Sequence, residues 1–260
     1  MFELDYQQTI DAIVDFIKKA VHDNGFEKVV VGLSGGVDST VVCYLLVKAL
    51  GSNNVIVALL PYGDLQSAGF QDGMLVANEC GISHQNVHVF DIRPAVDALT
   101  NGDKNISNER KGNIMARTRM IKLYDLAKKH KALVAGTENR TEYMLGYFTR
   151  FGDEASDIEP IQHLYKTQLY KLAAALHVPI EILQKKPTAG LYAGQTDEDE
   201  FGFTYADADI VLHNIEDKKL SKEEVIKLGV NAKTIDAVTA RMRNNEFKHW
   251  TPYIVSSHNT

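Results

Sequence analysis

Four short apolar runs, "EKVVVGLS" (27–34), "NVIVALLP" (54–61), "NVHVFDI" (86–92) and "KALVAGT" (131–137), recur along the chain. Runs of this length, bounded by turn residues, suit strands covered on both faces, the condition of a parallel sheet. Parallel neighbours need long crossovers, and helix-compatible stretches at 67–80 and 107–130 supply them. Ahead of the first run, Ile10, Ile13, Val14, Ile17 and Val21 fall at helical spacing, and "HDNG" supplies a stop. The expected fold is α/β: one doubly wound, Rossmann-like parallel sheet flanked by helices. No solenoid period or linker-like tract divides the chain, so a single domain over residues 1–260 is expected. Residues 186–203, with glycines, an acidic cluster and little periodicity, read as a long loop suited to act as a lid, with helices following to about 244.

Bulk properties exclude several classes. A formal charge of −6 speaks against a general duplex binder, which needs clustered Lys and Arg to neutralise phosphates. Cys43 and Cys80 are the only cysteines and lack any CxxC or Cys/His ligand spacing, so both read as core thiols rather than a disulfide frame or zinc site. The acidic start "MFELDYQQ" lacks a basic segment followed by an apolar one, and no apolar run approaches the roughly 18 residues of a spanning helix, which leads to the expectation of a cytoplasmic protein. Glycosylation-like triplets at Asn105 and Asn139 are then coincidental.

The turn after the first run, within "VVVGLSGGVDSTVV" (29–42), carries the chemistry. Glycines after a strand let backbone approach an anion, and the following helix offers N–H groups and its positive dipole end. The spacing fits neither common phosphate motif. Val37-Asp38-Ser39 follow the glycine pair where a Walker loop needs Lys-Ser/Thr, and Gly32 is followed by Leu33 and Ser34, which breaks GxGxxG. An aspartate in an anion cradle repels phosphate unless a divalent cation stands between them, so Asp38 points to a magnesium-bound nucleotide.

"SGGVDS" resembles the pyrophosphate loop of the N-type ATP pyrophosphatases, which split ATP between its α and β phosphates and adenylylate a substrate. "GNIMARTRM" (112–120), "GTENRTE" (136–142), "GYFTRFGDEASD" (146–157), "LYKTQLYKLA" (164–173) and "KKPTAGL" (185–191) occur in the order and spacing of ammonia-dependent NAD synthetases, a likeness running from about 10 to 250. The resemblance implies an adenine nucleotide alpha-hydrolase-like fold. It implies ATP contacts from Gly32, Leu33, Ser34, Gly35, Gly36, Val37, Asp38, Ser39, Thr137, Lys166 and Thr188, with Asp38, Lys166 and Thr188 as the catalytic set. Asp38 and Glu142 become the ligands of Mg2+. Arg117, Arg150, Asp157, Phe247 and Lys248 become the deamido-NAD contacts, although Arg150 stands where related enzymes carry lysine and Phe247 where they often carry histidine. A homodimer holding deamido-NAD across its interface is also implied. So is free ammonia as nitrogen donor, since no amino-terminal glutamine-hydrolysing domain is expected.

Taken without the family, these residues have plainer readings. Arg117, between Ile114 and Ile121, lays its stem along an apolar helical stripe, and Arg119 enters a structural ion pair. Thr137 ends a strand and reads as the N-cap of a helix starting near Glu138. Thr188 follows Pro187, which fixes the approach and leaves the hydroxyl and N–H free for a phosphate. Two other functions stay open at this level: another N-type ATP pyrophosphatase, GMP synthetase-like or tRNA-modifying, and a nucleotide-binding sensor without chemistry.

Overall fold

Val29 and Val31 pack into one apolar cluster and Val30 into another, the period-two alternation of a strand covered on both faces. The computed structural model describes residues 4–63, 67–101, 103–188, 190, 194–250 and 252–254. In it the strand carrying these valines, β1 (Lys28–Gly32), joins β2 (Val55–Leu59), β3 (Val87–Val89) and β4 (Ala132–Ala135) in a parallel sheet of order β3-β2-β1-β4. Val29 pairs with Val55, Val57 with Val87, and Lys28 with Ala132. The second strand repeats the alternation, Val55, Val57 and Leu59 on one side and Ile56 and Ala58 on the other.

Helices α1 (Tyr6–Asp23), α2 (Val37–Leu50) and α3 (Ala68–Glu79) cover the first face. Asp5 caps α1 by accepting from the Gln8 amide at 3.0 Å, and the five expected apolar positions of α1 are all buried. Helices α4 (Arg93–Thr100), an addition to the expected pattern begun at a proline turn, and α5 (Asn108–His130) cover the second face. The doubly wound expectation holds. Cys43 and Cys80 meet across the α2–α3 contact with sulfurs 3.8 Å apart; both are free thiols.

The chain then builds α6 (Arg140–Leu145), α7 (Lys166–Ala175) and α8 (Ile180–Leu183), with α7 burying Leu169, Leu172 and Ala173 against the first face. A third apolar cluster joins α6 to α9 (Asp197–Phe201), α10 (Tyr205–Leu212), α11 (Lys222–Lys227) and α12 (Ala232–Asn245) through Leu145, Phe201, Leu212, Val225 and Val238. The helix α9 corrects the long-loop expectation for 186–203. Thr196 caps it, and four acidic residues in its first turn suit the positive end of a helix dipole. Ala189 and residues 191–193 of that segment lie outside the described residues. Among the described residues no helix is long and apolar enough to cross a membrane.

The winding reverses between β1 and β4, so a crevice opens at their carboxyl ends, where open α/β sheets bind ligands.

Candidate active site

The loop leaving β1 forms one wall of that crevice. Leu33 extends the sheet by donating its amide to the Ala58 carbonyl at 3.0 Å. Gly35 then turns with φ 79°, where a Cβ would sit 2.5 Å from the Gly69 carbonyl of α3, so the position admits only glycine. The Ser34 and Ser39 hydroxyls lie 3.1 Å apart, and Ser34 Oγ accepts from the Gly36 amide at 3.2 Å, fixing the curl of the loop. Gly36 occupies the N-cap of α2 and brings no side chain, which leaves the first-turn amides for an anion.

Asp38, in the first turn of α2, faces Lys166 at the first position of α7. Lys166 Nζ donates to Asp38 Oδ2 at 2.6 Å and to Glu142 Oε1 at 3.0 Å. The lysine side chain is only 3% exposed, the two carboxylates 19% and 16%, so one nearly buried ammonium bridges two acids. Burial alone lowers the Lys166 pKa, but the Asp38 and Glu142 charges outweigh it and hold the lysine above its ordinary value. Burial pushes Glu142 up, opposed by Lys166 and reinforced by Asp38.

Asn139 ties this trio together. It is the fully buried N-cap of α6, accepting from the Glu142 amide at 3.0 Å while its Nδ2 donates to Asp38 Oδ1 at 2.8 Å. The N-cap is therefore Asn139, not Thr137, and α6 begins at Arg140 rather than near Glu138. The helix starts late because an Asn side chain closes the first turn better than the preceding Thr-Glu pair. Its burial also agrees with setting aside the glycosylation triplet. One further carboxylate, buried Asp209, aligns the starts of α6 and α7. It accepts from Thr141 Oγ1 at 2.5 Å, Thr167 Oγ1 at 2.6 Å and the Thr167 amide at 2.8 Å, and Thr141 Oγ1 accepts in turn from the Lys166 amide at 2.9 Å.

From the helical layer, the Tyr205 hydroxyl reaches Glu142 Oε1 at 3.2 Å and Asp197 Oδ2 at 2.9 Å, and Tyr147 donates to Asp197 Oδ1 at 3.0 Å. The acidic end of α9 is thus latched beside the Asp38–Lys166–Glu142 trio. Burial, with the neighbouring Glu142 and Asp197 charges, holds the Tyr205 phenol well above its ordinary value, so it stays protonated and acts as a donor.

A second group of acids lies at the same sheet edge, with no ion-pair partner among the described residues. Glu138 is 6% exposed; its Oε2 accepts from Gln162 at 2.9 Å, while its Oε1 has no partner among the described residues. Its amide donates to Glu159 Oε2 at 3.2 Å, and Ser156 donates to Glu159 Oε1 at 2.8 Å. Burial pushes Glu138 up to about 9 against the Gln162 hydrogen bond, and pushes Glu159 up to about 7 against Ser156. A Cβ on Gly136 would collide with the Glu159 carboxylate, so this glycine makes room for it. Glu159 also lines a cavity of about 260 Å³ with Phe16 and His163, and none of Asp38, Lys166 and Glu142 lines it.

The remaining expected residues make contacts of their own apart from this trio. Thr137 is half-buried at the end of β4. Thr188 is exposed, its hydroxyl accepting from the Gly190 amide at 3.1 Å, and the structure does not bring it to Lys166. Arg117 is exposed and donates from Nε and a terminal nitrogen to the Arg150 carbonyl at 3.2 and 3.1 Å. The Arg150 guanidinium lies over the Phe151 and Phe247 rings, 5.5 Å from each, so Phe247 packs on the cation beside it. Lys248 donates to the Gly146 and Phe148 carbonyls at 2.7 and 2.9 Å, closing the end of α6. Asp157 accepts from the Val134 amide at 2.7 Å, tying its own segment to the β4 edge. Arg119 forms no ion pair among the described residues; it donates to the Leu60 carbonyl at 3.1 Å because its helix packs that face against the end of β2.

Sequence reasoning missed Asn139, Tyr205, Asp197, Asp209 and Glu138. A signal existed only for Asn139, an N-cap type three residues before a glutamate.

Comparisons with known proteins show the family and the fold. A family model described as NAD synthase matches residues 9–252. The NH(3)-dependent NAD(+) synthetase of Pyrococcus horikoshii is 42% identical over 251 residues, covering 96% of this chain and 94% of that protein. A solved NMN synthetase from Francisella tularensis superposes with TM-score 0.85 at 32% identity, covering 98% of this chain and all (100%) of that one. An NH3-dependent NAD synthetase from Campylobacter jejuni, solved with nitrate, gives TM-score 0.82 at 29% identity and the same coverage, 98% and 100%.

Proposed function

The chain belongs to the NAD synthase family, and from that premise we propose that it uses ATP and ammonia to amidate deamido-NAD, giving NAD, AMP and pyrophosphate in NAD biosynthesis. Family membership makes it an enzyme, a ligase. The observation that carries the reading is the convergence of Asp38, Lys166 and Glu142 at the start of a helix whose N-cap, Gly36, brings no side chain.

A carboxylate is a poor electrophile, so its oxygen must first become part of a good leaving group. The nicotinate carboxylate attacks the α-phosphorus of ATP, the bond to the bridging β-oxygen breaks, and pyrophosphate departs toward the 32–39 loop. Ammonia then attacks the acyl carbon, the carbon–oxygen bond to AMP breaks, and the nitrogen loses a proton. The α2 amides and Lys166 stabilise charge on the phosphates, and the crevice holds the reactants in line. No nucleophilic side chain is needed.

The donor set suits a hard divalent cation. Two carboxylates from different helices already share one positive charge, and magnesium is commonly held by one or two carboxylates together with substrate phosphates. Asp38 and Glu142 would hold it, and when bound it would supply neutralisation of phosphate charge. The proposal extends to Thr137 and Thr188 as ATP contacts, to Arg117, Arg150, Asp157, Phe247 and Lys248 around deamido-NAD, to a homodimer, and to the cytoplasm.

The likeness to an NMN synthetase favours a second reading, in which the acceptor is the mononucleotide, nicotinic acid mononucleotide. One assay separates them: purified protein with ATP, magnesium and ammonium is given either acceptor, and AMP and amidated product are quantified. The proposal expects AMP and NAD in equal amounts, with kcat/KM for deamido-NAD at least ~10-fold above that for the mononucleotide. The reverse preference transfers the function to the second reading, and ADP instead of AMP removes both.

A further inference from the structure

We propose that Lys166 is an exchangeable counter-ion for the Asp38–Glu142 pair, which it releases only when a divalent cation and a nucleotide enter together. The inference rests on the metal reading of those two carboxylates and goes beyond it, to the order in which ligands are accepted.

Three observations support exchange. The Lys166 ammonium stands 2.6 Å from Asp38 Oδ2 and 3.0 Å from Glu142 Oε1, filling the space between the two oxygens that a cation bridging them would use. Two cations cannot share that place, because their repulsion grows as solvent is excluded and the lysine side chain is only 3% exposed. The backbone end of Lys166 is fixed, its amide donating to Thr141 Oγ1 at 2.9 Å. Only the four-carbon stem can move, and a flexible stem carrying a point charge suits a short swing from carboxylate to phosphate.

The consequence is mutual dependence. A metal ion entering alone strands a displaced ammonium in a nearly buried setting, while a bare nucleotide brings phosphates against Asp38 and Glu142. When both enter, the lysine trades two carboxylates for phosphate oxygens and every charge keeps a partner. Metal and nucleotide should therefore strengthen each other's binding, reciprocally.

The test uses Mn2+ as a spectroscopically visible metal and α,β-methylene-ATP, which resists cleavage at the reacting bond. Free Mn2+ is measured by electron paramagnetic resonance on the full chain, first without nucleotide. Lys166→Gln is expected to bind Mn2+ alone at least ~10-fold more tightly than wild type, an affinity shift typical of site coupling. Lys166→Arg, which keeps the charge between the carboxylates, is expected to bind it no more tightly than wild type. With the analogue present, wild type should gain affinity for Mn2+ and Lys166→Gln should gain much less. Thermal melts check that each variant is folded, and Lys166→Arg keeps the comparison informative if Lys166→Gln is not, since tighter Mn2+ binding by the arginine variant contradicts exchange. Equal Mn2+ affinity in wild type and folded Lys166→Gln overturns it. Failure of the metal reading looks different: Asp38→Asn and Glu142→Gln would then bind Mn2+ as wild type does.

Discussion

Two groups of acids sit within a few residues of each other at the carboxyl edge of the sheet, and they solve the cost of burial in opposite ways. Asp38 and Glu142 share the Lys166 ammonium, whereas Glu138 and Glu159 have amide and hydroxyl donors and, among the described residues, no cation in contact. Burying an ionised carboxylate is costly unless it is paired, and an unpaired one keeps its proton instead. The first group therefore gathers around one cation, while in the second burial pushes Glu138 up to about 9 and it keeps its proton. The difference is that between carboxylates held around an ammonium and carboxylates held by neutral donors.

Removing the charge of the first group should have the largest effect. Asp38→Asn and Glu142→Gln are each expected to lower turnover on the order of 100-fold or more, the scale of losing an electrostatic contributor to a transition state. Steady-state rates for AMP release measure this, and wild-type rates in both variants would remove the pair from the chemistry.

Neutralising the second group should act on stability rather than rate. The Glu138 carboxyl rises from 4.5 to about 9 on folding, so the native chain keeps a proton that the unfolded chain loses. Its contribution is fully present below about 4.5 and is lost as pH rises toward about 9. Glu138→Gln is thus expected to be the more stable protein at pH 8, by on the order of a few kcal/mol, and about equal to wild type near pH 4. Urea unfolding at several pH values tests it; parallel stability curves for the two proteins would show that Glu138 is ionised in the native state.

Gly136→Ala should cost about 1–3 kcal/mol, the range for forcing extra volume into a packed site. The cost should largely vanish when combined with Glu159→Ala, because the collision is with that carboxylate. Additive losses in the double variant would place the strain elsewhere.

Tyr205→Phe should be mildest. Loss of the hydroxyl removes one donor shared by Glu142 and Asp197, and a several-fold change in kcat is expected, with the melting temperature lowered by only a few degrees for about 1 kcal/mol in a chain of this size. A loss as large as that of Glu142→Gln would make Tyr205 part of the charge-handling site itself.

This contrast between the two groups was only half legible in the sequence. The glycine turn with Asp38 could be read because its chemistry is local: strand, turn and helix start are contiguous, and spacing alone excludes the common phosphate loops. The parallel sheet could be read for the same reason, since a short unbroken apolar run bounded by turn residues reports two covered faces. Glu142 and Lys166 needed the family likeness to be singled out, because they meet Asp38 across more than a hundred residues of sequence. Nothing in the residues around Tyr205 or Asp197 points to Glu142; that contact exists only because the third apolar cluster folds α9 and α10 back over α6. Lys248 was legible only in part. Its place came from the family likeness, and its two carbonyl partners at the end of α6 are visible only in the fold.

The central claim is that the acceptor carboxylate is activated by adenylylation at this crevice. Deamido-NAD carrying 18O in its nicotinate carboxylate, incubated with the enzyme, magnesium, ATP and ammonium, tests it directly by mass spectrometry of the products. The expected result is one 18O transferred to AMP for each NAD formed, because the attacking oxygen stays on phosphorus. Unlabelled AMP, with the label instead in inorganic phosphate or retained in full by the acceptor, would contradict it.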